Sequence, residues 1–155
     1  MEELVRKAEE KGINVEDLII SAIAKKDPQE GLRIRLELAE KYMNEMEDYL
    51  RKGDAVQASE KAYKVAEEIV KAVAEKFNTS EYQQFIKEGR WHTYLLGKAS
   101  NTLASKVGDW ILNGWSNAYF LHGWEFHEAK LSVNDITSYI NKVREMFEEA
   151  KKLLG

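Results

Sequence analysis

Three histidines are the residues of this chain best suited to proton transfer, and all three fall in one stretch, as His92, His122 and His127. His122 and His127 close the hexapeptide His122-Gly123-Trp124-Glu125-Phe126-His127. Five positions on a regular α-helix turn the chain through about 140° beyond one full turn, so these two imidazoles share a face only if Gly123 breaks the helix. Brought together, they form an acid–base or phosphate-contacting pair. Held apart, each serves as a local hydrogen-bonding group near a helix end, which is also the reading for His92. Glu125, His127 and Glu128 carry metal-ligand chemistry, but their spacing matches no standard zinc signature and reads better as a solvated helix turn. No metal and no cofactor is therefore expected. There is no Gly-rich phosphate loop, and the absence of cysteine excludes thiolate sites and disulfides.

The surroundings of these histidines are unusual. Residues 91–131 hold all four tryptophans, Trp91, Trp110, Trp115 and Trp124. From Trp91 to Trp124 the only formal charges are Lys98, Lys106 and Asp109. Polar residues interrupt the stretch too often for a membrane span, which needs about 20 mostly apolar residues in a row. A helical segment buried on most sides fits better. Gly97, Ser100, Ala104 and Gly108 allow close backbone approach, and Gly108 or Gly114 marks a kink or break. Aromatic-rich, charge-poor surface is also the composition of interface cores. The four tryptophans are thus candidates for a homodimer interface, with plain core as the alternative.

The elements that must position this segment are helices. The chain has 155 residues, one proline and nine glycines, too few turn-formers for a β-sandwich of this length. Residues 2–11 form a short amphipathic helix, ended by Gly12. Asn14 caps a second helix over about 15–26. Asp27-Pro28 opens a third, long helix to about residue 52, with Leu32, Leu36, Ala39, Met43, Met46 and Leu50 spaced in threes and fours. Asp54 caps the fourth helix, with Gln57 at the capping-box position. Ala55, Ala62, Ala66, Ile69, Val73 and Phe77 form its inner stripe. Lys61, Lys64 and Lys71 alternate there with Glu60, Glu67 and Glu68, the pattern of a salt-bridged solvent face. The tight Gly-Asp turn between the two long helices predicts antiparallel packing. A short helix spans about 80–88. Ser132 caps the last helix, with Asp135 at its box position.

The expected fold is therefore all-α: one domain over residues 1–155, with about five to seven helices built around the long antiparallel pair. A net charge of −4 argues against broad contact with a nucleic-acid backbone, though not against a small nucleotide site. The N-terminus is charged from its second residue and is no signal peptide. A cytoplasmic location is expected, and the richness in Glu and Lys points to a thermophilic source.

GDAVQASEKAYKVAEEIVKAVAEKF (53–77), preceded by AEKYMNEMEDYLRK (39–52), resembles the signature helix of the archaeal PaREP proteins, within the HEPN superfamily of helical bundles. FLHGWEFHEAKLSVNDI (120–136) resembles their second signature. The resemblance implies an HEPN-like bundle that pairs as a homodimer. Many HEPN proteins are metal-independent ribonucleases of toxin or defence type, and others are non-catalytic partners of nucleotidyltransferases. The active members carry an arginine and a polar residue, then a histidine after four to six intervening positions. Here His122 stands where that arginine belongs, with His127 at the histidine position. Arg90 lies too close to His92 to make the motif, and no histidine follows Arg144. The missing phosphate-binding arginine favours a non-enzymatic protein that dimerises and binds a partner such as a nucleotidyltransferase. The alternative is an RNA-cleaving or nucleotide-binding member that uses His122 and His127.

Overall fold

The computed structural model of the chain describes residues 1–126 and 129–155. Among the described residues there are eight α-helices and no strand: α1 (Glu2–Glu10), α2 (Val15–Lys26), α3 (Pro28–Arg51), α4 (Ala55–Lys76), α5 (Ser80–Glu88), α6 (Thr93–Val107), α7 (Trp110–Leu121) and α8 (Val133–Leu154), with a π-helical turn, His122–Phe126, continuing α7. The count exceeds the expected five to seven because residues 91–131 are not one element. Gly108 takes φ +117°, a conformation that L-side chains rarely adopt, and breaks the chain between α6 and α7. Trp110 folds back so that its Nε1–H donates to the Val107 carbonyl at 2.8 Å, satisfying one of the acceptors left at the end of α6.

Side-chain caps start the ordinary helices where the sequence places them. Asn14 accepts from the Asp17 amide, Asp27 from Glu30, and Asp54 from Gln57 at 3.0 Å. Ser132 and Asp135 form a reciprocal capping box.

The helix α4 is the hub of the bundle. It packs against α3, α6, α7, α8 and the π-turn, and its pairing with α3 is the most extensive in the molecule. Arg35 meets Glu68 and Glu45 meets Lys61, so the residue numbers of α3 and α4 run in opposite directions. Small residues at the contacts of α4, Ala58, Ala62, Ala66 and Ala74, are fully buried and bring neighbouring axes close. The α7–α8 contact depends on Gly114. A Cβ there would lie 2.5 Å from Met146 Sδ and 2.6 Å from its Cβ. Gly114 is thus a point of close approach inside α7, not the break that its type alone allows. Gly31 does the same between α3 and α2, where a Cβ would fall 2.4 Å from the Ala24 Cβ.

At the other extreme, α1 buries no residue at all, and its Leu4 stays exposed. Among the described residues, no helix is long and apolar enough to cross a membrane.

Candidate functional site

The tryptophans separate into two groups. Trp91 and Trp115 are buried within the chain's own core. Trp91 stacks on Phe85 at 5.3 Å, and Trp115 packs on Tyr63 at 5.6 Å. Their burial leaves them little surface to offer a second subunit, because α4, α5 and α6 already cover them. Trp110 is half-buried against the end of α6. Trp124 alone is exposed, at 58% of its surface, on the π-turn. Phe120 lies between Trp124 and Tyr139, with ring centroids 6.0 and 4.4 Å away. Tyr119 is also exposed. Thr93, Ser116, Tyr119, Phe120, His122, Gly123 and Trp124 enclose a shallow hollow of about 520 Å³.

His122 stacks face to face on Tyr63 at 4.0 Å, which places its ring between that hollow and a larger cleft. His127 and Glu128, and with them the His122–His127 pairing and the weighed metal cluster, lie outside the described residues. Among the described residues there is no group of acidic or histidine side chains arranged for a metal. His92 sits at the N-terminus of α6, where its side chain makes no capping bond, and stacks on Tyr94.

The larger cleft, about 950 Å³, is walled by α1 and α2 on one side and by α4 on the other, with Tyr42 of α3, Arg90, Trp91, Thr93 and His122 completing it. Asp17 and Lys71 on its lining belong to a buried ionic network. Asp17 of α2 accepts from Arg35 Nη1 of α3 at 2.7 Å and from Lys71 Nζ of α4 at 2.9 Å. The same Arg35 nitrogen donates to Glu68 at 2.8 Å. All four side chains are buried, with Arg35 only 1% exposed. Two acids and two bases close the network to zero net charge, the condition under which buried ions survive desolvation. Burial pushes the Asp17 carboxyl up, but Lys71 and Arg35 outweigh it and hold the group below its ordinary value. Burial also works against the charged form of Lys71, and Glu68 with Asp17 raises it above its ordinary value.

This network corrects the reading of α4. Glu68 and Lys71 are not on a solvent face; they are 6% and 8% exposed. A signal was present in α3, because Arg35 falls in the apolar series Leu32, Ala39, Met43, Met46 at the same spacing of threes and fours. A charge in such a stripe needs a buried partner. Nothing in the sequence names Asp17, which reads as an ordinary acidic residue of a first helical turn.

Glu67, beside the network, behaves differently. It is half-buried and lines the cleft, and its carboxyl is pushed up to about 7 by burial, with the negative charges of Glu68 and Asp17 adding to the effect over the opposing lysines. Tyr63 is pushed up to about 12, again by burial first and by Glu67 next. Chemically the cleft offers a carboxyl able to exchange a proton near neutrality, two tyrosines and an imidazole.

Comparison with other proteins gives a family and no reaction. No curated protein matches the chain. A crystal structure of a protein from Sulfolobus solfataricus is 39% identical, covers 76% of this chain and 96% of its own, and superposes with a TM-score of 0.68. A solution structure of the same structural-genomics target is 37% identical over 72% of this chain and 87% of its own, with a TM-score of 0.65. The model of the archaeal PaREP1/PaREP8 family matches residues 34–147, most of the chain, and the protein therefore belongs to the archaeal PaREP1/PaREP8 family.

Proposed function

We propose that this protein is an HEPN-like bundle that acts by binding and not by catalysis, pairing with a second copy of itself and presenting that dimer to a partner protein. The observation that carries the reading is the exposure of Trp124 beside Tyr119 and Phe120, on a hollow whose lining, among the described residues, includes no Asp, Glu, Lys or Arg. Exposed aromatic surface without charge is the composition of interface cores. Each copy carries a net charge of −4, so two copies meet with least repulsion where neither presents charge. A twofold pairing would set the same patch against itself. A nucleotidyltransferase-type partner rests on the HEPN resemblance alone.

The test is light scattering behind size exclusion across a concentration series. The expected result is a dimer for the wild type and a monomer for Trp124→Ser. A wild-type monomer at every concentration ends this reading.

A ribonuclease reading has one observation in its favour: Arg90 and His122, though not adjacent in any motif, line the same cleft. It predicts metal-independent cleavage of RNA in EDTA, abolished by His122→Ala or His127→Ala. The carboxylates of Glu9, Glu16 and Glu67 on that cleft oppose the approach of a phosphate backbone.

A further inference from the structure

Two consecutive helices joined by a short turn ordinarily pack along their apolar stripes as an αα-hairpin. Residues 11–14 join α1 to α2, yet the packing between these two helices is sparse. On α1, Leu4, Val5 and Ala8 lie within about 100° of one another around the helix. Val5 and Ala8 are half-buried, and Leu4 is 66% exposed. On α2, Ile20 and Ala24 are buried, while Ile19 and Ile23, one turn apart on the same face, are 54% and 36% exposed. Two apolar stripes on neighbouring helices thus stand unmatched. Val5 and Glu9 of α1, with Glu16 and Ile19 of α2, instead line the larger cleft.

Little holds α1 in its place. Its ion pairs, Arg6 with Glu3 and Glu10 and Lys7 with Glu3, are internal to the helix. The amides of Lys11, Gly12 and Ile13 donate back to the Ala8 and Glu9 carbonyls of α1 itself. Among the described residues, no side-chain hydrogen bond or ion pair joins α1 to another element. The chain is fixed only beyond Gly12, which takes φ +80°. A Cβ at Gly89 would lie 3.4 Å from Ile13 Cγ1, and the Asn14 amide donates to the Gly89 carbonyl at 2.9 Å. The Asn14 side chain then caps α2. Gly12 therefore divides an anchored α2 from an untethered α1, and glycine redirects a chain at the least steric cost. An element with no buried side chain opens at the low end of the local stability range.

We propose that α1 is a hinged flap, swinging about Gly12 between the position described above and one in which Leu4, Val5 and Ala8 close onto Ile19 and Ile23 of α2. Closure removes apolar surface of both helices from water, and no ion pair to the rest of the bundle resists it. The moving helix carries Val5 and Glu9 of the cleft lining, so the position of α1 sets the width of the cleft. The flap precedes residue 34, where the family match begins, and is an addition to the matched segment. It does not depend on association through Trp124.

Double electron–electron resonance tests this, because a chain without cysteine takes spin labels only where cysteines are introduced. Lys7→Cys with Glu40→Cys reports α1 against α3, and Lys26→Cys with Glu40→Cys reports α2 against α3 as the fixed reference. Labelled chain is diluted into unlabelled chain, so that only pairs within one molecule contribute. The expected result is one distance for the reference pair and two for the α1 pair, with Ile19→Asp changing the ratio of the two populations by about fivefold or more. A single distance for the α1 pair overturns the proposal, as does a distribution that Ile19→Asp leaves unchanged, whether narrow or broad. Should Ile19→Asp disturb the reference pair, Leu4→Asp takes its place with the same outcomes.

Discussion

The two sides of α4 solve the problem of a crowded interior in opposite ways. Toward α2 and α3 it buries charge, with Asp17, Arg35, Glu68 and Lys71 locked into one network. Toward α7 and α8 charge is excluded, and the packing relies on small residues such as Ala62, Ala66, Ala118 and Gly114 and on the rings of Tyr63 and Trp115. A network of ions tolerates only one arrangement, because each partner removed leaves a desolvated charge behind. An apolar contact is graded and loses only what the missing atoms contributed. The ionic side ends in a polar cleft and the apolar side in an exposed aromatic edge, so the two suit different ligands.

The sharpest way to break this contrast is Arg35→Met. It leaves Lys71 alone to balance the two buried carboxylates of Asp17 and Glu68, and a loss of about 3–5 kcal/mol is expected from the denaturant midpoint. A loss below about 1 kcal/mol would show that water reaches the network. Next in size is Gly114→Ala on the apolar side. Its methyl would enter the space of the Met146 Cβ, which cannot move without its backbone, and overpacking of this kind costs about 1–3 kcal/mol. Thermal unfolding measures it. Unchanged stability would mean that α7 and α8 slide apart freely.

A smaller effect of opposite sign is expected at Glu67. Its folded-state value of about 7 lies above the ordinary 4.5, so the folded chain holds the proton more tightly than the unfolded chain. That contribution is fully present below about pH 4.5 and is lost as pH rises through about 7. Glu67→Gln keeps the neutral form at every pH. It should therefore be more stable than the wild type at pH 8, by on the order of 1 kcal/mol after allowance for solvent screening, and similar to it at pH 4. Parallel denaturation at the two pH values tests this, and an equal difference at both would remove the titration from the explanation. The smallest stability change belongs to Trp124→Ser, expected within about 0.5 kcal/mol because the ring is exposed. The same variant has the largest expected effect on association, so one protein separates the role of this edge in folding from its role in binding.

Much of the scaffold was legible. Six helices begin or end within a residue or two of the positions set by Gly12, Asn14, Asp27, Asp54, Gly89 and Ser132. Caps and left-handed glycines act on backbone groups three or four residues away, so the information is local. The site was less legible. His122 does line a cleft, as its residue type promised, but the network that Asp17 and Lys71 bring to that cleft joins residues 17, 35, 68 and 71 from three helices. Trp91 and Trp115 carried the same compositional signal as Trp124, yet only Trp124 is exposed. Composition reports that a segment avoids water and is silent on whether its own chain or another supplies the cover.

The sequence by itself determined an all-helical chain, where most of its helices start, and the concentration of tryptophan and histidine in one charge-poor stretch. These follow from periodicity and capping, which are read over four residues at a time. Only the tertiary structure decided that Glu68 and Lys71 of α4 are buried, that Arg35 and Asp17 find each other, and that burial raises the Glu67 carboxyl. Those outcomes depend on which helices pack around α4. A charged side chain at a given helical spacing becomes a surface ion pair or a buried network according to whether neighbouring helices cover it.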